Sequence, residues 1–514
     1  MPALLSTQVK NWPRFLAVQH SRYASMAVNV SRDQTAPVKP FKDIPGPGGL
    51  YRWPVIGTML HFKPFTEYNA ETIRGLFDSL HKRYGTILKV RLGEMTVMTS
   101  DPKDFETVFR NEGRWPVRPP VDIDVVYIKR NNLKENLASV QGEAWQKLRT
   151  PMNKRLMKAD SAHHYIEAQN VVADEFVHIL STKELDAEEM ADYFFRYASE
   201  SIGVVTFNTR LGFFNKSDGG ESDEFLHASK EQFRIINDTF SGKSVLYKLF
   251  RDKTYRRYEK AMNVIIKHAD KHTSKAKESI QSKLADGSLH PDDPNLLFSL
   301  MAEKSLTTED ISFLATSLYS GGTDSTARNL QSFFHILAMN PDKQELLRAE
   351  ALDIVGKDRP LTAKNLTAMP YLKACVKECF RINYPTASGT FRYLPTDVVL
   401  SGYTVPAGVP IVLQNPIACM EHFENPGQFL PERWLRTPDR RKQENIVNMV
   451  LLPFSYGPRN CPGQRFALQE IYLAAVKVLQ KLKIDLLPES RDVQFGHRTF
   501  IHPMNSIKFK FTKL

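Results

Sequence analysis

Cysteine is scarce in this chain. The four among 514 residues are Cys375, Cys379, Cys419 and Cys461, all in the C-terminal third. So few cannot staple a chain of this length, which excludes a disulfide scaffold and makes a reducing compartment the default. Cys375 and Cys379 sit four apart, but no His or further Cys stands beside them at zinc spacing, so they read as small buried side chains. Long apolar runs are missing too. Nothing near the N-terminus approaches the roughly 18 to 20 consecutive apolar residues that a membrane-spanning helix needs. The uncharged stretch from Gly402 to Met420 is cut by Pro406, Pro410 and Pro416, and reads as buried strand and turn. Residues 1–32 contain Lys10, Arg14, Arg22 and Arg32 and no acid at all. That is the composition of a mitochondrial transit peptide, with cleavage expected near Arg22 to Ser25. A strong charge of one sign is absent from any single element. The net charge of +12 is spread along the chain and largely balanced by acids, which excludes a nucleic-acid binder and leaves room for an acidic protein partner.

What is present is the composition of an ordinary folded enzyme, 42% hydrophobic and 25% charged. Residues 33–57 form a Pro/Gly-rich linker segment in which Pro45, Pro47 and Pro54 forbid helix and favour a rigid extended lead-in. Residues 58–514 read as one domain without internal repeats. Apolar periodicity predicts helices over Glu143 to Leu156, Asp186 to Val205, Lys253 to Ala285, Thr308 to Met339, Pro370 to Ile382 and Phe466 to Leu482. Strand-like runs are fewer: Ile87 to Thr99, Tyr403 to Leu413 and Ser506 to Phe511. The expected fold class is mainly α with a smaller β-rich part (α+β).

The segment that carries chemistry is Phe454 to Gly463, FSYGPRNCPG, immediately before a helical pattern. The first turn of a helix offers unpaired N–H groups and the positive end of its dipole, which together lower a thiol's pKa and favour a thiolate ligand. Gly457 lets the backbone approach a flat cofactor. Arg459 presents a fork suited to a carboxylate.

This run resembles the haem-binding signature of the cytochrome P450 family, F-x-x-G-x-R-x-C-x-G, at Phe454, Gly457, Arg459, Cys461 and Gly463 without a departure. The resemblance implies haem b (iron protoporphyrin IX) held between a long central helix and the cysteine loop, with the Cys461 thiolate on the metal as axial ligand. Proline at 462 removes one N–H that would face the sulfur, so the iron is expected to be harder to reduce than with another residue there.

Other parts follow from the same resemblance. Glu378 and Arg381 match the family's E-x-x-R pair, braced by Arg433 in FLPERWL. Trp145, Arg149 and Arg392 match residues that hold the haem carboxylates. In the long helix from Thr308, opened by a capping-box variant of Thr307 and Asp310, GGTDST (Gly321 to Thr326) resembles the oxygen-activating motif. Asp324 is then the acid and Ser325 the alcohol where threonine is usual, with Thr326 as a substitute. Serine lacks the methyl that fixes χ1, so it can rotate onto its own helix backbone, and coupling of electrons to product is expected to leak. Gly321 and Gly322 each cost about 1 kcal/mol in a helix interior, and a ligand held against the backbone is one reason for them.

Lys373 and Lys377 share a helix face, and Leu372 to Arg381 reproduces L-K-A-x-x-K-E-x-x-R, the place where an acidic ferredoxin docks in the mitochondrial branch of the family. Arg465 extends this patch. The implied partner is an adrenodoxin-type ferredoxin fed by an NADPH-dependent reductase. The implied reaction is hydroxylation of a lipophilic, steroid-like or foreign molecule, with peripheral contact to the matrix side of the inner membrane. Competing readings are a microsomal-type enzyme fed by a flavoprotein reductase, and a haem-thiolate isomerase or binding protein that does not use dioxygen. Val245 to Phe250 (VLYKLF) mixes apolar and basic residues as a membrane contact or a channel wall would. Pro119 to Tyr127, Phe313, Ser317, Thr386 to Thr390 and Phe500 are the expected pocket lining.

Overall fold

The structure is a computed structural model that describes residues 37–215, 220–240, 242, 244–288, 295–435 and 448–514. The expected transit peptide, 1–32, lies outside the described residues, as does the start of the linker segment. The helices that build the site are α1 (Asp122–Arg130), α2 (Gly142–Leu156), α3 (Ile166–Thr182), α4 (Ala187–Phe207), α5 (Glu221–Phe240), α6 (Lys253–Ala285), α7 (Thr308–Met339), α8 (Pro370–Ile382), α9 (Asn415–Glu421) and α10 (Gln464–Lys481). The strands are β1 (Ile87–Leu92), β2 (Glu94–Thr99), β3 (Phe391–Tyr393), β4 (Val398–Leu400), β5 (Tyr403–Val405), β6 (Pro410–Leu413), β7 (Leu482–Leu486), β8 (Phe495–His497), β9 (Ile501–Pro503) and β10 (Phe509–Lys513). The fold is mainly helical with small sheets, as the sequence predicts.

α7 is the central helix. Its N-terminus is closed by a reciprocal box in which the Thr307 hydroxyl accepts from the Asp310 N–H at 3.1 Å and the Asp310 carboxylate accepts from the Thr307 N–H at 2.8 Å. Along its length α7 packs against α4: Phe334 meets Phe194 edge-on at 5.4 Å, and Tyr319 meets Phe207 at 5.7 Å. Each such buried aromatic contributes roughly 1.5–3 kcal/mol. A Cβ on Gly322 would lie 2.6 Å from Ile202 of α4, so helix packing here requires a glycine. A Cβ on Gly321 would meet nothing within 4 Å.

The main sheet has the order β1-β2-β6-β3. Its β1 and β2 are antiparallel, β2 runs parallel to β6, and β3 returns antiparallel with Arg392 opposite Ile411. The strand-like run Ile87 to Thr99 is therefore a hairpin, turned at Gly93 with φ +78°. The run Tyr403 to Leu413 divides between two sheets. The third strand lies at Phe509–Lys513 because it pairs with β7, Phe509 opposite Leu486. One expectation is corrected: the uncharged stretch is not β throughout, since Asn415–Glu421 forms α9 with Pro416 in its first turn, where a missing N–H costs nothing. Helices that periodicity did not predict include α1, α3 and α5. Among the described residues no helix is long and apolar enough to cross a membrane.

Candidate active site

The loop from Phe454 to Gly463 turns through left-handed backbone at Ser455 (φ 61°) and Gly457 (φ 76°). A Cβ on Gly457 would lie 2.3 Å from Oε1 of Glu112, so only glycine fits. The Cys461 N–H donates to the Phe454 carbonyl at 2.9 Å, and the Asn460 N–H to the Gly457 carbonyl at 3.1 Å. Phe454 is held in turn by Phe380 of α8, edge-on at 5.7 Å. Gly463 caps α10, and its N–H and that of Gln464 hydrogen-bond the Cys461 thiol, while Pro462 has none to give. Burial pushes this thiol up, against the pull of those two N–H groups and of Arg149 and Arg118. The helix start thus pulls the thiol toward thiolate, as the sequence suggests, and burial opposes it. In a site of this kind a bound metal cation supplies the remainder.

Cys461 stands in the wall of a cavity of ≈ 700 Å³. Four arginines share that wall: Arg118, Arg149 of α2, Arg392 of β3 and Arg459. Arg149 clamps the ligand loop, donating to the Asn460 carbonyl at 2.7 Å and to its side chain at 2.8 Å. Arg392 donates to Glu112 at 2.6 Å and to the Tyr456 carbonyl at 3.3 Å. Arg459 donates to the Pro116 and Val140 carbonyls, both at 2.9 Å, and lies 4.2 Å over the Trp145 ring. Burial, then repulsion from Arg118, Arg392 and Arg149, brings the Arg459 guanidinium down to about 9. Burial likewise lowers Arg149 to about 10. Glu112 is the carboxylate among them, and Arg459 keeps a buried Nη1 with no hydrogen-bond partner among the described residues. So much uncompensated buried cation calls for anions in the cavity. The two carboxylates of a haem fit this donor set, with the thiol at hand for its iron and Trp145 and Phe454 lining the cavity beside it.

From α7, Gly321, Gly322, Ser325 and Thr326 line the cavity, whereas Asp324 is not among the lining residues. Asp324 instead accepts from Arg328 one turn on, at 3.3 Å. The Ser325 hydroxyl donates to the Gly321 carbonyl at 2.8 Å. Thr326 neighbours Glu470 of α10, a fully buried carboxyl beside the Ser201 and Thr326 hydroxyls, with Gln169 donating at 3.3 Å. Burial pushes Glu470 up to about 8. Of the expected lining, Pro119, Tyr127, Phe313, Ser317, Thr386, Thr390 and Phe500 are present in the wall.

Glu378 and Arg381 lie fully buried on α8 and pair at 2.8 Å. Arg433 donates to the same carboxylate at 3.0 Å and the Trp434 indole N–H donates to it at 2.7 Å, so four groups from two segments meet. On the other side of α8, Lys373 is half-buried and bonds the Thr367 carbonyl at 3.0 Å, and Lys377 is exposed, 5.8 Å over the Trp434 ring. Arg465 donates to the Met157 carbonyl at 3.2 Å.

Sequence reasoning missed Arg118 and Glu470. Arg118 follows no spacing rule. Glu470 falls on an apolar helix face of α10, one turn beyond Phe466, and a lone acid at a buried helical position was the available signal.

The family model for cytochrome P450 matches residues 47–511. The probable cytochrome P450 12d1 proximal, mitochondrial, of Drosophila melanogaster is 30% identical over 97% of this chain and 96% of its own. The probable cytochrome P450 12e1, mitochondrial, of the same organism is 30% identical over 92% of each chain. A cholesterol side-chain cleavage enzyme, mitochondrial, of Sus scrofa is 28% identical over 94% of this chain and 92% of its own. With the signature, the cavity and the family match in agreement, the chain belongs to the cytochrome P450 family and is a haem-thiolate monooxygenase.

Proposed function

We propose that this monooxygenase belongs to the ferredoxin-fed mitochondrial class and hydroxylates a lipophilic, steroid-like or foreign molecule, with the Cys461 thiolate as the group that would hold the haem iron. The observation that carries the class is the Lys373 and Lys377 face of α8, which meets solvent while Glu378 and Arg381 are buried behind it. An acidic ferredoxin is complementary to such a face, and Arg465 would extend it. Mitochondrial relatives near full length support the same class.

Haem iron with a thiolate ligand supplies the activation of dioxygen, one atom of which enters the substrate. The chain's own residues do the rest. Arg118, Arg149, Arg392 and Arg459 would hold the haem carboxylates, and Trp145 supports Arg459. Gly463 and Gln464 direct N–H groups at the sulfur. The apolar cavity wall takes the lipophile and excludes water. Ser325 and Thr326 present hydroxyl groups at the cavity, and Asp324, one residue before them and paired with Arg328, is the acid that would pass protons toward them.

Peripheral membrane contact is part of the same proposal. Val245, Leu246, Leu249 and Phe250 are exposed and stand outside the cavity wall, which favours a surface contact over a channel lining. A transit peptide at 1–32 fits that address.

The test is reconstitution of the purified protein with two electron donors in parallel. Turnover is expected with an adrenodoxin-type ferredoxin and its NADPH-dependent reductase. Turnover with the microsomal flavoprotein reductase alone would overturn the class.

A further inference from the structure

The cavity wall is mostly apolar, yet one polar cluster is built into it from α1, α5 and α6. The Asp124 carboxylate of α1 accepts from the Ser139 hydroxyl at 2.7 Å, from the Asn136 amide, and from the Tyr258 hydroxyl of α6 at 3.1 Å. Gln232 of α5 hydrogen-bonds Tyr258 in turn. Asn136, Asp124, Gln232 and Tyr258 all line the cavity.

The hydrogen count fixes how the Gln232 amide is turned. Tyr258 has one hydroxyl hydrogen, and Asp124 takes it. Gln232 must therefore donate its NH₂ to the tyrosine oxygen, because the flipped amide would set oxygen against oxygen. Its Oε1 then points away from Tyr258. That oxygen is buried and has no hydrogen-bond partner among the described residues, although Gln232 itself is only 7% exposed. A buried acceptor left unmet is costly, and because Gln232 stands in the cavity wall, a donor that enters there and meets Oε1 through a small shift of the side chain recovers that cost. The donor that suits is neutral. An ammonium would seek the carboxylate, and Asp124 is already met by three donors.

We propose that Gln232 is a specificity-determining residue whose Oε1 accepts a hydrogen bond from a hydroxyl group on an otherwise apolar substrate. This rests on the lipophile-hydroxylase reading above and deepens it: the substrate enters already carrying one hydroxyl. The reaction that supplies it is then itself a hydroxylation, a ketone reduction or an ester hydrolysis.

The test titrates the holoprotein with matched probes, cholesterol against cholest-5-ene and 1-dodecanol against dodecane. Binding is followed by equilibrium dialysis and by the haem spin-state absorbance. Wild type is expected to prefer the hydroxylated member of a pair by about tenfold, the equivalent of one good hydrogen bond. Gln232→Leu should abolish the preference while leaving the hydrocarbon's affinity intact. Equal affinity for both members in wild type overturns the anchor alone. A preference that survives Gln232→Leu and disappears in Ser320→Ala also overturns it, since Ser320 carries a second unmet hydroxyl in the same wall. If no probe of either pair binds, the lipophile reading fails and the anchor with it.

Discussion

The Ser325 hydroxyl bonds the Gly321 carbonyl at 2.8 Å, on the helix that faces the haem cavity. Its proton is thereby committed to its own backbone. A threonine at 325 would carry a methyl that restricts χ1 and holds the hydroxyl in fewer orientations. Ser325→Thr is expected to raise the ratio of product formed to NADPH consumed, and Ser325→Ala to lower it by a factor of roughly two to ten, below the roughly 10²–10⁴-fold of a fully engaged proton donor because this proton is already given to the Gly321 carbonyl. If Ser325→Ala leaves the ratio unchanged and Thr326→Ala abolishes product, the alcohol that matters is Thr326.

Glu470 gives a pH dependence of defined sign. Its carboxyl is pushed by burial from the ordinary 4.5 up to about 8, so the folded protein keeps a proton there that the unfolded chain releases. The stability this contributes is full below the unfolded value and is lost as pH rises through about 8. Buried histidines act in the other direction: His497 and His502 are lowered from 6.5 to about 4, and their effect is complete above 6.5. Between pH 6.5 and 8 the Glu470 contribution therefore stands clear of theirs. Stability should fall there with a slope of up to about 1.4 kcal/mol per pH unit from this group, and Glu470→Gln should remove that slope. Guanidinium unfolding at several pH values measures it, and equal slopes in the two proteins would contradict the assignment.

Glu378 is the hub of a buried network: Arg381, Arg433, the Leu430 N–H and the Trp434 indole all donate to its carboxylate. Removing it leaves two guanidiniums without their anion. Glu378→Ala is expected to cost about 3–5 kcal/mol and to shed haem on mild heating. A loss under about 1 kcal/mol, the range of a surface pair, would show that solvent already reaches the network.

The lysine face has its own test. Lys373→Glu with Lys377→Glu reverses two charges next to the buried side of α8 and is expected to raise the KM for ferredoxin about tenfold at low salt, with kcat at saturating ferredoxin retained. The difference should shrink as salt screens the charges. An unchanged KM would move the docking surface elsewhere.

Where the sequence was legible, a strong local constraint was the reason. The Cys461 loop could be read because it carries the family's signature at consecutive local positions, and its glycine holds a φ of 76° with Glu112 close against it. The ends of α7 and α8 followed from Thr307 with Asp310 and from Pro370, residues whose capping and first-turn chemistry is local. Partners that depend on tertiary approach were not legible. The packing of Gly322 against Ile202 is one such case, whereas the Asp324–Arg328 pair is local, i,i+4 on one helix, and helix spacing does offer it. Arg118 joins the cavity through a loop, and Glu470 through the packing of α10 under α7, which no spacing rule encodes. Asn415–Glu421 was missed because proline was read as a breaker when it stood in a helix's first turn.

The central claim is that Cys461 is the thiolate ligand of the haem. The carbon monoxide complex of the reduced protein tests it most directly, since thiolate and imidazole ligation place the Soret band at distinct wavelengths. The wild type is predicted to show the red-shifted thiolate band, and Cys461→His to retain haem with the band at the imidazole position. A wild type with the imidazole-type band, or a Cys461→His variant whose thiolate band persists, would contradict the account.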